Sequence, residues 1–372
     1  MDHQLPLLLR HYAALSPSSP ALLPAPPFPT SRLLSLPTTQ QWLVDHLLKH
    51  EHDQQDDERG GAAWKKVFWR RVVKAVEEGF DERRANDDQQ VDDEEVHPDI
   101  LETMVEYLSS GASAGAPGVS TRTYYWGDLE KSPSEWKSLR TKEEGRLISG
   151  GTTGLRTWQA CIALSNHLIA APHVLERSSR IVELGAGVGL LSLVAARLWR
   201  TAGRRGQVVA TDVDEKVLDV LTRNLELNGL DDLARCSKLD WELAADLDKH
   251  VDELAQWERE AFDDGARADL ILGADIVYDP SLTSLLAATL AWLLRPSTDA
   301  GAPPPQALIA GTVRNESTWA RFLDECGRRQ LRVEPVELEE PPQQGGLVGA
   351  EGWEGEGEVR LVRLTALRAE MQ

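Results

Sequence analysis

The chain has 372 residues, 41% of them hydrophobic, enough for one large domain or two ordinary ones with a buried core. Its net charge of −20 speaks against a nucleic-acid surface, which needs clustered Lys and Arg to displace counterions, and against an anionic membrane. Three cysteines without C-x-x-C spacing, nine histidines without an H-E-x-x-H pattern and no bilayer-length apolar run point away from a disulfide frame, a bound metal and a membrane anchor, so a reduced, cytoplasmic, monomeric protein is expected.

Residues 1–149 have the texture of a small helical domain threaded by polar loops. A helix over Leu5–Leu15 leads into a stretch holding Pro17, Pro20, Pro24, Pro26, Pro27 and Pro29, which cannot be helical and is expected to be extended. Helical spacing resumes over Thr39–His50, with Trp42, Leu43, His46 and Leu47 on one face, before an acidic, Gln-rich loop at Glu51–Glu58. The next helix is predicted over Ala63–Gly79, with Trp64, Val67, Phe68, Arg71, Val72 and Ala75 at three-and-four spacing and Gly79 as its stop. An acidic loop at Asp81–Glu95, a helix from Pro98 to Leu108 and a Gly/Ala/Ser linker at Ser109–Gly118 complete this part, whose charge runs read as solvated faces.

Residues 150–372 alternate helix and strand. A helix over Arg156–Ala170 is followed by strands at Arg180–Leu184, Gln207–Asp212, Cys236–Leu239, Ala268–Ala274, Gln306–Gly311, Leu331–Val336 and Glu358–Leu367. Helices are predicted at Leu190–Trp199, Glu215–Leu227, Leu282–Leu294 and Thr318–Arg328. Such alternation predicts an α/β fold, a doubly wound, mainly parallel seven-strand sheet with helices on both faces. The last strand is expected to pair antiparallel at one edge. Leu243–Ala266 reads as an acidic helical ornament between two strands, and Pro341–Gly357 as a Gly/Glu loop.

Chemistry concentrates at the strand ends, where open α/β sheets bind ligands. The run Ile181–Gly189 (Ile-Val-Glu-Leu-Gly-Ala-Gly-Val-Gly) is a strand entering a glycine turn, answered by the acid Asp212 at the end of the next strand. Glycines let backbone turn sharply and approach a ligand, and Asp212 is placed to accept from ribose hydroxyls. A dinucleotide fingerprint needs G-x-G-x-x-G, but Leu190 stands where its third glycine belongs. Glu183 adds a carboxylate beside the turn, unwelcome to a pyrophosphate and suited to the cationic S-adenosylmethionine. A plain strand-to-helix turn without a ligand is the competing reading. Further along, Leu-Asp-Trp-Glu brings Asp240 and Trp241 to the same edge, and Gly-Ala-Asp-Ile-Val-Tyr-Asp-Pro brings Ala274, Asp275 and Tyr278. An acid and an aromatic ring suit an adenine.

These motifs, with Gly151-Thr-Thr-Gly-Leu-Arg-Thr-Trp158-Gln-Ala before them and Gly-Thr-Val-Arg314-Asn-Glu-Ser-Thr after, resemble methyltransferase family 16, and within it the eukaryotic elongation factor 2 lysine methyltransferases. The resemblance covers the chain from Gly150 almost to its end; residues 1–149 are similar to that subgroup's additional domain in size and texture only. It implies a Rossmann-like class I fold, S-adenosylmethionine as methyl donor and a lysine of elongation factor 2 as acceptor. It also implies donor contacts from Trp158, Gly185, Ala186, Gly187, Asp212, Trp241 and Ala274, to which the charge argument adds Glu183. Asp275 and Tyr278 match the family's D-x-x-Y motif bordering the acceptor, Asp275 being expected to orient the amine. The alternatives are a non-catalytic adaptor on the same fold and a methyltransferase for another substrate.

Overall fold

The computed structural model describes residues 3–17, 28–49, 61–86, 91, 93–110, 118–144, 153–263, 266–296, 304–342, 345–349 and 357–367. Most of the proline-rich stretch, the acidic segment Glu51–Glu58, the centre of the Ser109–Gly118 linker, Gly151 and Thr152 lie outside them. The chain divides into two units, Met1–Ser149 with Leu347–Trp353 and Gly150–Gly346 with Glu354–Gln372.

The first unit holds α1 (Gln4–Ala13), α2 (Ser31–Leu34), α3 (Pro37–Leu43), which continues into a π-helical turn at Val44–Leu48, α4 (Ala62–Ala85) and α5 (Pro98–Ser109). Its core gathers one face of each long helix: Leu8 and Tyr12 from α1, Trp64, Phe68, Trp69, Val72 and Val76 from α4, and Ile100 from α5. Tyr12 lies at the centre, with ring centroids 4.7 Å from Phe68 and 5.7 Å from Trp69. Gly79 was expected to end its helix, yet α4 runs on to Ala85 and buries Phe80 and Arg83. The glycine answers a packing need instead, because a Cβ there would lie 2.0 Å from the Ser31 carbonyl oxygen of α2.

The first unit also holds an antiparallel hairpin that the sequence reading did not assign, β1 (Val119–Trp126) with β2 (Lys137–Glu144), paired from Val119↔Glu144 to Trp126↔Lys137. Its Thr-Arg-Thr-Tyr-Tyr-Trp run is rich in strand formers. A buried polar group holds it: Tyr124 and Thr141 hydroxyls donate to Glu143 Oε1 at 2.9 and 2.7 Å, and Arg122 lies 3.5 Å from the same carboxylate.

In the second unit α6 (Gln159–Ala170) and the short α7 (His173–Glu176) precede the seven-strand sheet. In chain order follow β3 (Arg180–Leu184), α8 (Leu190–Thr201), β4 (Gln207–Asp212), α9 (Glu215–Leu227), β5 (Ala234–Lys238), α10 (Glu242–Ala245), α11 (Leu247–Ala261) and β6 (Leu270–Ala274). After these come α12 (Thr283–Leu293), β7 (Gln306–Val313), α13 (Glu316–Arg328), β8 (Leu331–Val336) and β9 (Glu358–Ala366). The spatial order is β5-β4-β3-β6-β7-β9-β8. Pairing is parallel through the first five strands, from β5 to β7, and antiparallel around β9.

Two expectations change. Strand β9 does not sit at an edge: it inserts between β7 and β8 and pairs with both. The edge belongs to β8, where Pro335 has no N–H to give a further neighbour. The segment Leu243–Ala266 is likewise no ornament, since the chain must cross from β5 over β4 and β3 to reach β6, and α10 and α11 form that crossover. Leu254, Ala261 and Phe262 join the core, and the Trp257 indole donates to Ser237 Oγ at 2.9 Å. The acidic residues between them masked a helical stripe. No described helix is long and apolar enough to cross a membrane.

Candidate functional site

The strand order reverses direction between β3 and β6, and in doubly wound sheets the carboxyl ends beside such a switch point form a crevice. A cavity of about 560 Å³ opens there. All ten residues singled out from the sequence, Trp158, Glu183, Gly185, Ala186, Gly187, Asp212, Trp241, Ala274, Asp275 and Tyr278, line it. They come from the ends of four strands and the start of α6, so only the sheet brings them together.

The glycine turn is built for close approach. Gly185 and Gly187 have φ of +59° and +54°, in the left-handed region that favours glycine. A Cβ at Gly185 would lie 2.7 Å from Ile276 Cγ2, and one at Gly187 would lie 2.9 Å from the Gly154 carbonyl oxygen. Asp212 braces the turn by accepting from the Gly187 N–H at 3.3 Å, while its other oxygen accepts from the Asp214 N–H at 3.1 Å. Burial pushes the Asp212 carboxyl above the usual carboxylate range, against the pull of these backbone donors.

Glu183 sits near the end of the interior strand β3, 2% exposed. Its carboxylate accepts from the Ser192 hydroxyl of α8. Desolvation dominates the bond to Ser192 and pushes its pKa up to about 8. Ser192 had no signal in the sequence, because a serine in an apolar helix is common and only the fold places it against Glu183.

At the mouth, the Trp158 indole donates to the Thr153 carbonyl at 3.0 Å. The guanidinium carbons of Arg156 and Arg314 stand 5.7 and 5.4 Å from Trp158 ring centroids. Arg156 lines the cavity and was not chosen from the sequence, although it lies two residues before Trp158 in the quoted motif. Tyr278 is 56% exposed at the rim, and its hydroxyl hydrogen-bonds the Thr153 side chain.

Asp275 was expected to orient the acceptor amine, but its carboxylate is already engaged. Oδ2 accepts from the Ala160 N–H at 2.8 Å and Oδ1 from the Thr312 N–H at 2.8 Å, with the Thr312 hydroxyl 3.1 Å from Oδ2. Thr312 was not among the residues chosen from the sequence.

Chemically, the cavity pairs a tight glycine turn with two acids, Glu183 and Asp212, and with aromatic faces from Trp158 and Trp241. A nucleoside that carries positive charge fits this donor set, and the side-chain-free turn leaves room for it. The carboxylates make a pyrophosphate a poor fit. Among the described residues no cluster of His, Cys, Asp or Glu suits a metal ion.

Comparison with known proteins agrees with the geometry. The profile of the lysine methyltransferase family matches residues 135–318. The protein-lysine N-methyltransferase EFM3 of Chaetomium thermophilum is 32% identical over 257 residues, 68% of this chain and 71% of that protein. The human protein-lysine N-methyltransferase EEF2KMT is 30% identical over 65% of this chain and 69% of its own, and EFM3 of Saccharomyces cerevisiae is 26% identical over 65% and 66%. The chain belongs to the lysine methyltransferase family, as a protein-lysine N-methyltransferase whose methyl donor is S-adenosylmethionine.

Proposed function

We propose that this enzyme methylates a lysine of elongation factor 2 in the cytoplasm, with Glu183, Gly185, Ala186, Gly187, Asp212, Trp158, Trp241 and Ala274 holding the donor. The observation that carries the site assignment is the convergence of all these residues on one cavity at the switch point of the sheet. The likeness to EEF2KMT and EFM3, together with the motif run from Trp158 to Arg314, supports the choice of acceptor. To the first unit, residues 1–149, we assign recognition of the folded acceptor protein.

When bound, S-adenosylmethionine supplies an electrophilic methyl group. The work of the chain is to hold that donor and to deliver a neutral amine. The glycine turn admits the donor to the backbone, and Asp212 accepts from its ribose. Glu183, protonated in the free site near neutral pH, is drawn toward its ionised form by an entering cation.

A lysine of reference pKa about 10.4 is neutral in only about one molecule in a thousand at pH 7.4, and only that form attacks. Partial desolvation of the amine beside Tyr278 at the cavity rim lowers its pKa. Fixing the amine against the donor accounts for much of the remaining acceleration.

Incubating the purified enzyme and radiolabelled S-adenosylmethionine with a lysate lacking the endogenous activity tests the acceptor. The expected outcome is one labelled protein, identified as elongation factor 2 and modified on lysine. Label on a protein of another identity, or no labelled protein, would refute the choice.

A further inference from the structure

The carboxylate of Asp275 faces inward, and its partners say what it does. Helix α6 begins after Trp158, which offers no side-chain cap; an indole N–H donates and cannot accept from the first turn. The orphan N–H of Ala160 is instead satisfied by Asp275 Oδ2, from 115 residues away. A carboxylate at this position also meets the positive end of the helix dipole. The same carboxylate accepts from the backbone and hydroxyl of Thr312 at the end of β7, while the Asp275 N–H donates to the Ala310 carbonyl at 2.9 Å.

Two further observations and one chemical argument agree. The Asp275 side chain is 6% exposed, with an Arg314 nitrogen 3.9 Å from Oδ1. Its φ of +54° is a left-handed conformation that costs energy in any residue with a Cβ, and the surrounding bonds maintain it. A carboxylate touching the acceptor would also stabilise the ammonium, raising the pKa that the reaction needs lowered.

We infer that Asp275 is a positioning residue: it caps α6 from across the sheet, ties it to β7 and thereby fixes the Trp158 wall of the donor cavity, without touching the acceptor amine. This rests on the donor cavity assigned under Proposed function and is independent of which protein is the acceptor.

Calorimetric donor binding, thermal denaturation and methyl transfer at saturating donor separate the possibilities for Asp275→Ala, Asp275→Asn and Thr312→Val. Expected for Asp275→Ala is donor affinity weaker by about tenfold or more, with turnover at saturating donor within about fivefold of the parent and the acceptor KM unchanged. Asp275→Asn, which keeps one accepting oxygen, falls between the two. Thr312→Val removes one donor to Asp275 and stands outside the cavity lining; it weakens donor binding about threefold and keeps the inference testable if Asp275→Ala does not fold. Unchanged donor affinity with turnover down about a hundredfold at saturating donor would assign Asp275 to the amine and overturn the inference. So would a lower melting temperature with unchanged donor affinity in the folded fraction. Should elongation factor 2 not be the acceptor, the calorimetric comparison still decides the role of Asp275.

Discussion

A carboxylic acid buried near the end of an interior strand of a sheet is an unusual choice, and Glu183 of β3 shows its consequences. In the folded chain burial pushes its pKa up to about 8, well above the ordinary glutamate value of 4.5 that the unfolded chain takes. Between those values the folded state binds the extra proton, so Glu183 makes folding stability fall as pH rises through that window. Without donor, Glu183→Gln is expected to raise the melting temperature at pH 8 by about 2–5 °C and to leave it unchanged at pH 4. The same variant binds the cationic donor less tightly; a parent-like pH dependence of melting would contradict the burial account. Asp212 braces Gly187 and, in the proposed site, would also meet the ribose, so Asp212→Ala is expected to weaken donor binding by calorimetry about tenfold or more. Unchanged affinity would remove its ribose role.

Among the elements, α4 and α11 show local rules yielding to packing. Intrinsic propensity favours alanine over glycine in a helix interior by about 1 kcal/mol. At Gly79 the new Cβ would lie 2.0 Å from the Ser31 carbonyl oxygen, and forcing apart packed backbone costs about 1–3 kcal/mol. Gly79→Ala is therefore expected to lower the denaturant midpoint of the first unit; a stabilised variant would mean that α2 does not approach α4 this closely. In α11 the apolar stripe of Leu254, Trp257 and Ala261 decides the helix's place, while its many acids face water.

For the whole molecule the net charge of −20 bears on how an acceptor is met. An acidic enzyme attracts a lysine-bearing surface at long range, and that attraction is screened over about 8 Å at physiological salt. Raising salt from about 50 to about 300 mM is expected to raise the acceptor KM several-fold. Donor binding is expected to change less, because in the proposed site its charges would meet Glu183 and Asp212 inside a cavity that salt screens weakly. Equal salt dependence of the two would argue that long-range charge has no part in acceptor capture.

Much of the fold and the site was legible in the residues themselves. Strands β3, β4 and β8 and helix α9 follow from local periodicity, and the glycine turn, Asp212 and the two strand-end motifs name the cavity's lining. Such features are local: a period of apolar residues and a chemically distinctive strand end survive being read one segment at a time. The hairpin β1–β2, the place of β9 between β7 and β8, the core role of α11 and the passage of α4 through Gly79 depend on partners distant in the chain. The same holds inside the site. Sequence alone placed Asp275 at the strand-end edge where the cavity opens, but the Ala160 and Thr312 donors that occupy its oxygens are 115 and 37 residues away, and only tertiary structure brings them within hydrogen-bonding distance.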